Sequence, residues 1–153
     1  MKETNKIKTG YRFPFEKRAY NHDSKTEELE AINNCVFNYS EDIIYLKEVP
    51  VVSELSVDIC FDAVERLAKN MKKRGLLIDV TETQVPDSRV RRQINKRFQF
   101  IGEIVEHVSF WSGKNILINS VARFAVFKTN VGSFSIHKTQ EAAINEIKKK
   151  LYG

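Results

Sequence analysis

The sequence is poor in the residues that mark special chemistry, with two cysteines, three histidines and one tryptophan in 153 residues. Cys35 and Cys60 form no CxxC pair and stand near no histidine, which argues against a zinc knuckle or a dithiol redox motif. Two reduced, buried thiols are the expectation. No apolar run reaches the roughly 18 to 20 residues of a membrane span. The segment from Met1 to Tyr20 lacks the apolar core of a signal peptide, so a cytoplasmic location is expected. The nucleophile elbow, the phosphate-binding P-loop, the H-E-x-x-H zinc signature and the dinucleotide fingerprint are all missing. His22, His107 and His137 are scattered along the chain and read as surface or internally satisfied histidines. Asp79 and Glu82 without further oxygen ligands make a poor cation site. With no nucleophile and base to pair, the expectation is a protein that is not an enzyme and takes no metal or cofactor.

One sign of charge dominates only locally. The formal charge is +5, but seven of the 25 bases and only three of the 20 acids fall within residues 1–25. A near-neutral body with a basic arm is not a nucleic-acid footprint, which needs a basic face with interleaved aromatics. In the arm, Tyr11, Phe13 and Phe15 alternate around Arg12 and Pro14, otherwise with little periodicity. We therefore expect a partly mobile arm over residues 1–32 and one domain over 33–153.

What is present is an alternation of strand-like and helix-like patterns. Cys35 to Tyr39 and Ile43 to Val52 are β-rich runs around Ser40, Glu41 and Asp42, a hairpin pattern. Ser53 or Ser56 then caps a helix whose stripe is Cys60, Ala63, Val64, Leu67, Ala68 and Met71. Lys72, Lys73 and Arg74 suit a last helical turn, and Gly75 suits its stop. Leu76 to Val80 reads as a central parallel strand. Pro86, Asp87 and Ser88 open a second helix with the stripe Val90, Ile94, Phe98, Ile101 and Val105. The bases Arg89, Arg91, Arg92, Lys96 and Arg97 crowd that helix, and positive charge in a first turn opposes the helix dipole. Pairing with Glu82 or Glu103, or contact with an acidic partner, phosphate or anionic lipid, would offset it.

A strand at His107 to Ser112 leads to an unusually apolar helix, nine of the twelve residues from Ile116 to Phe127. An arc that wide covers more than one face, so core, partner contact and ligand contact all stay open. Ser133 to His137 is a last strand, and Thr139 starts a last helix with the stripe Ala143, Ile144, Ile147 and Leu151. The order implies one α/β domain: a mostly parallel mixed sheet with an N-terminal β-hairpin and about four helices.

Over roughly Asn33 to Tyr152 this order, together with LLIDVT, HVSFWSGKNILINSVARFAVF and SFSIHKTQEAAINEI, resembles the STAS superfamily, in particular its bacterial SpoIIAA-like branch. The resemblance implies a regulatory domain that works by protein contacts. In that family an Asp ends the third strand, and an Asp-Ser-Ser-Gly opens the next helix eight residues later. Asp79 and Asp87 keep the spacing, and Ser88 stands where the switch serine would be phosphorylated, whereas Arg89 and Val90 replace the Ser-Gly. By resemblance the partner surface comprises Asp79, Thr81, Asp87, Arg89 and Arg92. The branch also resembles lipid-carrying transfer domains, which makes Leu117, Val121, Phe124, Ala125 and Phe127 candidates for an apolar ligand or an interface. The expected partner is an unidentified protein, a second copy of the chain, or a small nonpolar ligand or lipid that the domain carries or senses.

Overall fold

The computed structural model describes residues 15–153, so the alternating Tyr11 and Phe13 lie outside the described residues. A first helix α1 (Thr26–Asn33) leads into strands β1 (Val36–Asn38) and β2 (Ile43–Lys47). Then come α2 (Glu54–Ala68), β3 (Gly75–Asp79), α3 (Ser88–Phe98), a 3-10 turn at Ile101–Glu103, β4 (His107–Trp111), α4 (Ile118–Ala125), β5 (Phe134–His137) and α5 (Gln140–Tyr152). The sheet order follows the chain, β1-β2-β3-β4-β5, with β1 antiparallel to β2 and the remaining neighbours parallel.

Sequential parallel strands linked by crossovers of one hand place the intervening helices on the same side of the sheet. Helices α1 to α4 accordingly bury Ile32, Val57, Cys60, Val64, Phe98 and Val121 against Ile44, Leu46, Leu76, Ile78, Val108 and Phe110. Among the described helices α5 covers the other side, where Ala143, Ile144, Ile147 and Leu151 meet Ile43, Tyr45 and Leu77. β3 is buried along its whole length, as a central strand with helices above and below must be.

Local signals set most element starts. Ser53 is the N-cap of α2 and exchanges hydrogen bonds with Ser56: Ser56 N donates to Ser53 Oγ at 3.1 Å and Ser53 N to Ser56 Oγ at 2.9 Å. Asp87 caps α3 by accepting from Val90 N at 3.0 Å, and Thr139 caps α5 by accepting from Ala142 N at 3.1 Å.

Four readings are corrected. There are five α-helices among the described residues, because α1 forms within the stretch assigned to the arm. Its only buried side chains are Ala31 and Ile32, too few to stand out as a stripe. Helix α2 stops at Ala68, so Lys72, Lys73 and Arg74 lie beyond it, and Gly75 starts β3 instead of ending a helix. A Cβ at Gly75 would overlap the Ile147 side chain, so glycine there permits the close approach of α5. The stripe from Val90 to Val105 is continuous in burial but not in helix, since α3 ends at Phe98 and Ile101 sits in the 3-10 turn.

Candidate functional site

The C-terminal ends of β2 and β3, the loop to α3, and helices α3 and α4 bring the sequence-derived residues into one region. Asp79 closes β3, but it faces α5 and is only 2% exposed. Its carboxylate accepts from Tyr45 Oη at 2.8 Å, Thr81 Oγ1 at 2.7 Å and Thr81 N at 3.0 Å, with Lys47 Nζ at 3.4 Å. Burial, then the neighbouring Asp79, pushes the Tyr45 phenol far above its ordinary pKa. Lys47 also pairs with Glu82 at 2.8 Å. Asp79 therefore does not belong to an exposed partner surface. Its oxygens are occupied inside the fold, and it orders the loop that carries Thr81.

Asp87, Ser88, Arg89 and Arg92 are exposed at the start of α3. The basic excess of this helix is offset mainly by α2, not by Glu82 or Glu103. Arg89 pairs with Glu54 at 2.8 Å, and Arg97 reaches Asp58 at 3.0 Å, Asp62 at 2.8 Å and Glu65 at 3.4 Å. The Arg97 guanidinium also lies 5.5 Å from the Phe61 ring centroid. Among the described residues Arg91, Arg92 and Lys96 make no salt bridge.

Helix α4 divides the apolar candidates. Val121 and Ala125 point inward with Ile118 and Ala122, whereas Leu117 is 77% exposed, Phe127 51% and Phe124 41%, joined by Ile116 at 73%. Two asparagines tie its ends down. Asn95 Nδ2 on α3 donates to the carbonyls of Phe124 at 3.0 Å, Ala125 at 3.2 Å and Phe127 at 3.0 Å, satisfying groups a helix C-terminus leaves free. Asn115 Nδ2, ahead of α4, donates to Val80 O at 2.9 Å and Thr83 O at 2.7 Å.

Beneath α4 lies a pocket of about 40 Å³ at the C-terminal ends of β2 and β3. Ligands in open α/β sheets bind outside the carboxyl ends of the strands. Phe61, Ile78, Phe98, Phe110 and Val121 supply its apolar wall, and Glu48 and Thr83 supply polar atoms. Glu48 follows β2 and is partly buried; its carboxylate accepts from Val49 N at 3.3 Å and has no salt bridge among the described residues. Burial raises it to about 7. Thr83 is 4% exposed, and among the described residues its hydroxyl has no hydrogen-bond partner. A larger depression of about 440 Å³ lies at the other end of the sheet among Asp42, Asn70, Lys72, Lys73 and Tyr152, where bases and acids are mixed.

Two scattered histidines prove to be neighbours. His107 on β4 and His137 on β5 lie on the α5 side with Ser109, Ser133 and Ser135, alternate residues of adjacent strands. His107 Nδ1 is 2.6 Å from Ser133 Oγ and its Nε2 3.0 Å from Ser135 Oγ, while His137 Nε2 is 2.7 Å from the same Ser135 oxygen. Burial lowers His107 to about 4, so the ring is neutral at pH 7 and internally satisfied. Period-two spacing of His and Ser was the available signal for this cluster. Cys35 and Cys60 are free and buried; burial pushes Cys35 to about 12 and Cys60 well up, away from reactive thiolate. Among the described residues no three His, Cys, Asp or Glu side chains gather as a metal site, and no helix is long and apolar enough to cross a membrane.

No protein-family model matches this chain, and no curated protein matches it significantly.

Proposed function

We propose that this chain is a non-enzymatic regulatory or binding domain of the STAS, SpoIIAA-like type, which docks an acidic protein partner on the edge formed by the β3–α3 loop, α3 and α4. The observation that carries the reading is the exposure of Leu117, Phe124 and Phe127 at the two ends of α4, on the helix that Asn95 of α3 holds, together with Arg91, Arg92 and Lys96 of α3, bases without a salt bridge among the described residues. Asn95 binds the C-terminal end of α4, and Arg92, three residues before it, shares its face of α3. An apolar centre with an unpaired basic rim complements a partner surface of apolar anchors and carboxylates. Ser88, exposed at the first position of α3, is the switch: a phosphate there would meet free helix N–H groups and nearby arginines and offset much of the positive charge of the rim.

The test is a comparison of partners retained from the host's cytosol by the parent and by a Leu117→Asp, Phe124→Asp variant of unchanged circular dichroism. The reading requires a discrete acidic protein with the parent, weakened by salt and absent with the variant. Equal retention by both, or self-association in its place, would refute it.

A second reading, a carrier or sensor of a small nonpolar ligand, is favoured by the apolar pocket under α4. About 40 Å³ corresponds to no more than about three waters, so an acyl chain would need α4 to leave its two asparagine ties.

A further inference from the structure

The pocket under α4 combines apolar walls with two polar side chains whose capacity the fold leaves unused. Thr83 is nine-tenths buried or more, and its hydroxyl has no partner among the described residues. A buried hydroxyl without a hydrogen bond is costly and uncommon, and it calls for a ligand or water. Glu48 lines the same pocket, and among the described residues its carboxylate accepts one hydrogen bond, from the adjacent Val49 N. The nearest base in sequence, Lys47, engages Asp79, Thr81 and Glu82 on the opposite side of the sheet. The remaining titratable neighbours of Glu48 are the thiols of Cys35 and Cys60, both held neutral by burial. The Lys47 charge favours the ionised Glu48 only weakly beside the burial that opposes it, and among the described residues no base forms a salt bridge with this carboxylate.

We propose that this pocket is a binding site for a small primary ammonium compound with an apolar body, its nitrogen donating to the Glu48 carboxylate and the Thr83 hydroxyl and its carbon atoms lying among Phe61, Phe98, Phe110 and Val121. The inference deepens the second reading above, on which it rests, by adding the polar anchor. An ammonium group brings three donors and a positive charge, so it satisfies both oxygens, whereas an alcohol has one donor and a carboxylate meets Glu48 as a like charge. Aromatic faces in the wall add to the attraction for a cation. A volume of about 40 Å³ sets the body at a few carbon atoms while α4 stays in place. Burial holds Glu48 near 7, so ammonium binding strengthens as pH rises through that value and the carboxylate ionises.

The experiment follows the methyl resonances of Ile118 and Val121 by NMR, at a pH one unit above the Glu48 value, in the full chain titrated with n-propylamine, n-propanol, propionate and xenon. We expect saturable shifts with n-propylamine, affinity at least about tenfold better than n-propanol, and no response to propionate. Glu48→Gln should lose that preference while keeping the xenon response, and Thr83→Val should weaken the amine several-fold. If xenon shifts the methyls but n-propylamine does no better than n-propanol, the ammonium anchor is wrong and the nonpolar pocket stands. If neither probe shifts them, both fail. Should Glu48→Gln not fold, the pH dependence of n-propylamine binding in the parent decides: affinity unchanged from one unit below to one unit above the Glu48 value overturns the proposal.

Discussion

Replacing Glu48 by glutamine should make the protein more stable, and the gain should depend on pH. Burial disfavours the charged form and raises the carboxyl from its ordinary 4.5 to about 7 in the folded chain. Between these values the native state keeps a proton that the unfolded chain has released, so stability falls as pH rises through the window and the full cost is present above it. At about 1.4 kcal/mol per pH unit the ceiling is about 3 kcal/mol; partial exposure of the side chain reduces it to about 2. His107 acts in the opposite sense: burial lowers it from 6.5 to about 4, so its contribution is lost as pH falls through that range. The two oppose each other over overlapping windows, so the parent should show a shallower stability profile than Glu48→Gln, which should exhibit the whole rise due to His107. Urea unfolding of parent and variant across the acid to mildly alkaline range reads this directly. The variant's midpoint advantage should grow by about 1 M urea over the window, from about 2 kcal/mol and a slope of about 2 kcal/mol/M. A difference between parent and variant that stays constant with pH would refute the placement of Glu48 in an apolar pocket.

Three further outcomes follow from the contacts. Asn95→Ala removes three hydrogen bonds to the end of α4 and should lower stability by about 1 to 3 kcal/mol, with faster amide exchange confined to α4; uniform exchange across the chain would contradict its role as a tie. Gly75→Ala forces a methyl group into Ile147 Cγ2 and should cost about 1 to 3 kcal/mol in chemical denaturation, a cost that should shrink in an Ile147→Ala background, which lacks that carbon; an equal cost in both backgrounds would count against the close approach. Incubation with host cytosol and ATP should label the protein at Ser88, and Ser88→Ala labelled as strongly as the parent would remove Ser88 as the switch.

Much of the architecture was legible because its signals are local. Ser53, Asp87 and Thr139 each precede a run of helical periodicity and each caps it, and the apolar Leu76 to Ile78 belongs to the central strand. Helix α1 escaped notice because TEELEAIN buries only Ala31 and Ile32. The end of α2 escaped notice because Met71 is buried beyond the helix and prolongs its stripe. For α4 the sequence showed an apolar arc wider than one face, but which half faces in depends on the ties made by Asn95 and Asn115, contacts across 20 or more residues. The least legible feature was Glu48. A glutamate just after a strand reads as a solvated charge, and only the parallel pairing of β2 with β3 and the covering α4 enclose it.

The central claim is that the α3–α4 edge is the working face. Site-directed photocrosslinking tests it most directly, with benzoylphenylalanine placed at position 124 on that edge or at position 148, exposed on α5. Illumination in host cytosol should yield a discrete adduct with an acidic protein from position 124, abolished by high salt, and none from position 148. The same adduct from both positions, or an adduct from position 148 alone, would contradict it.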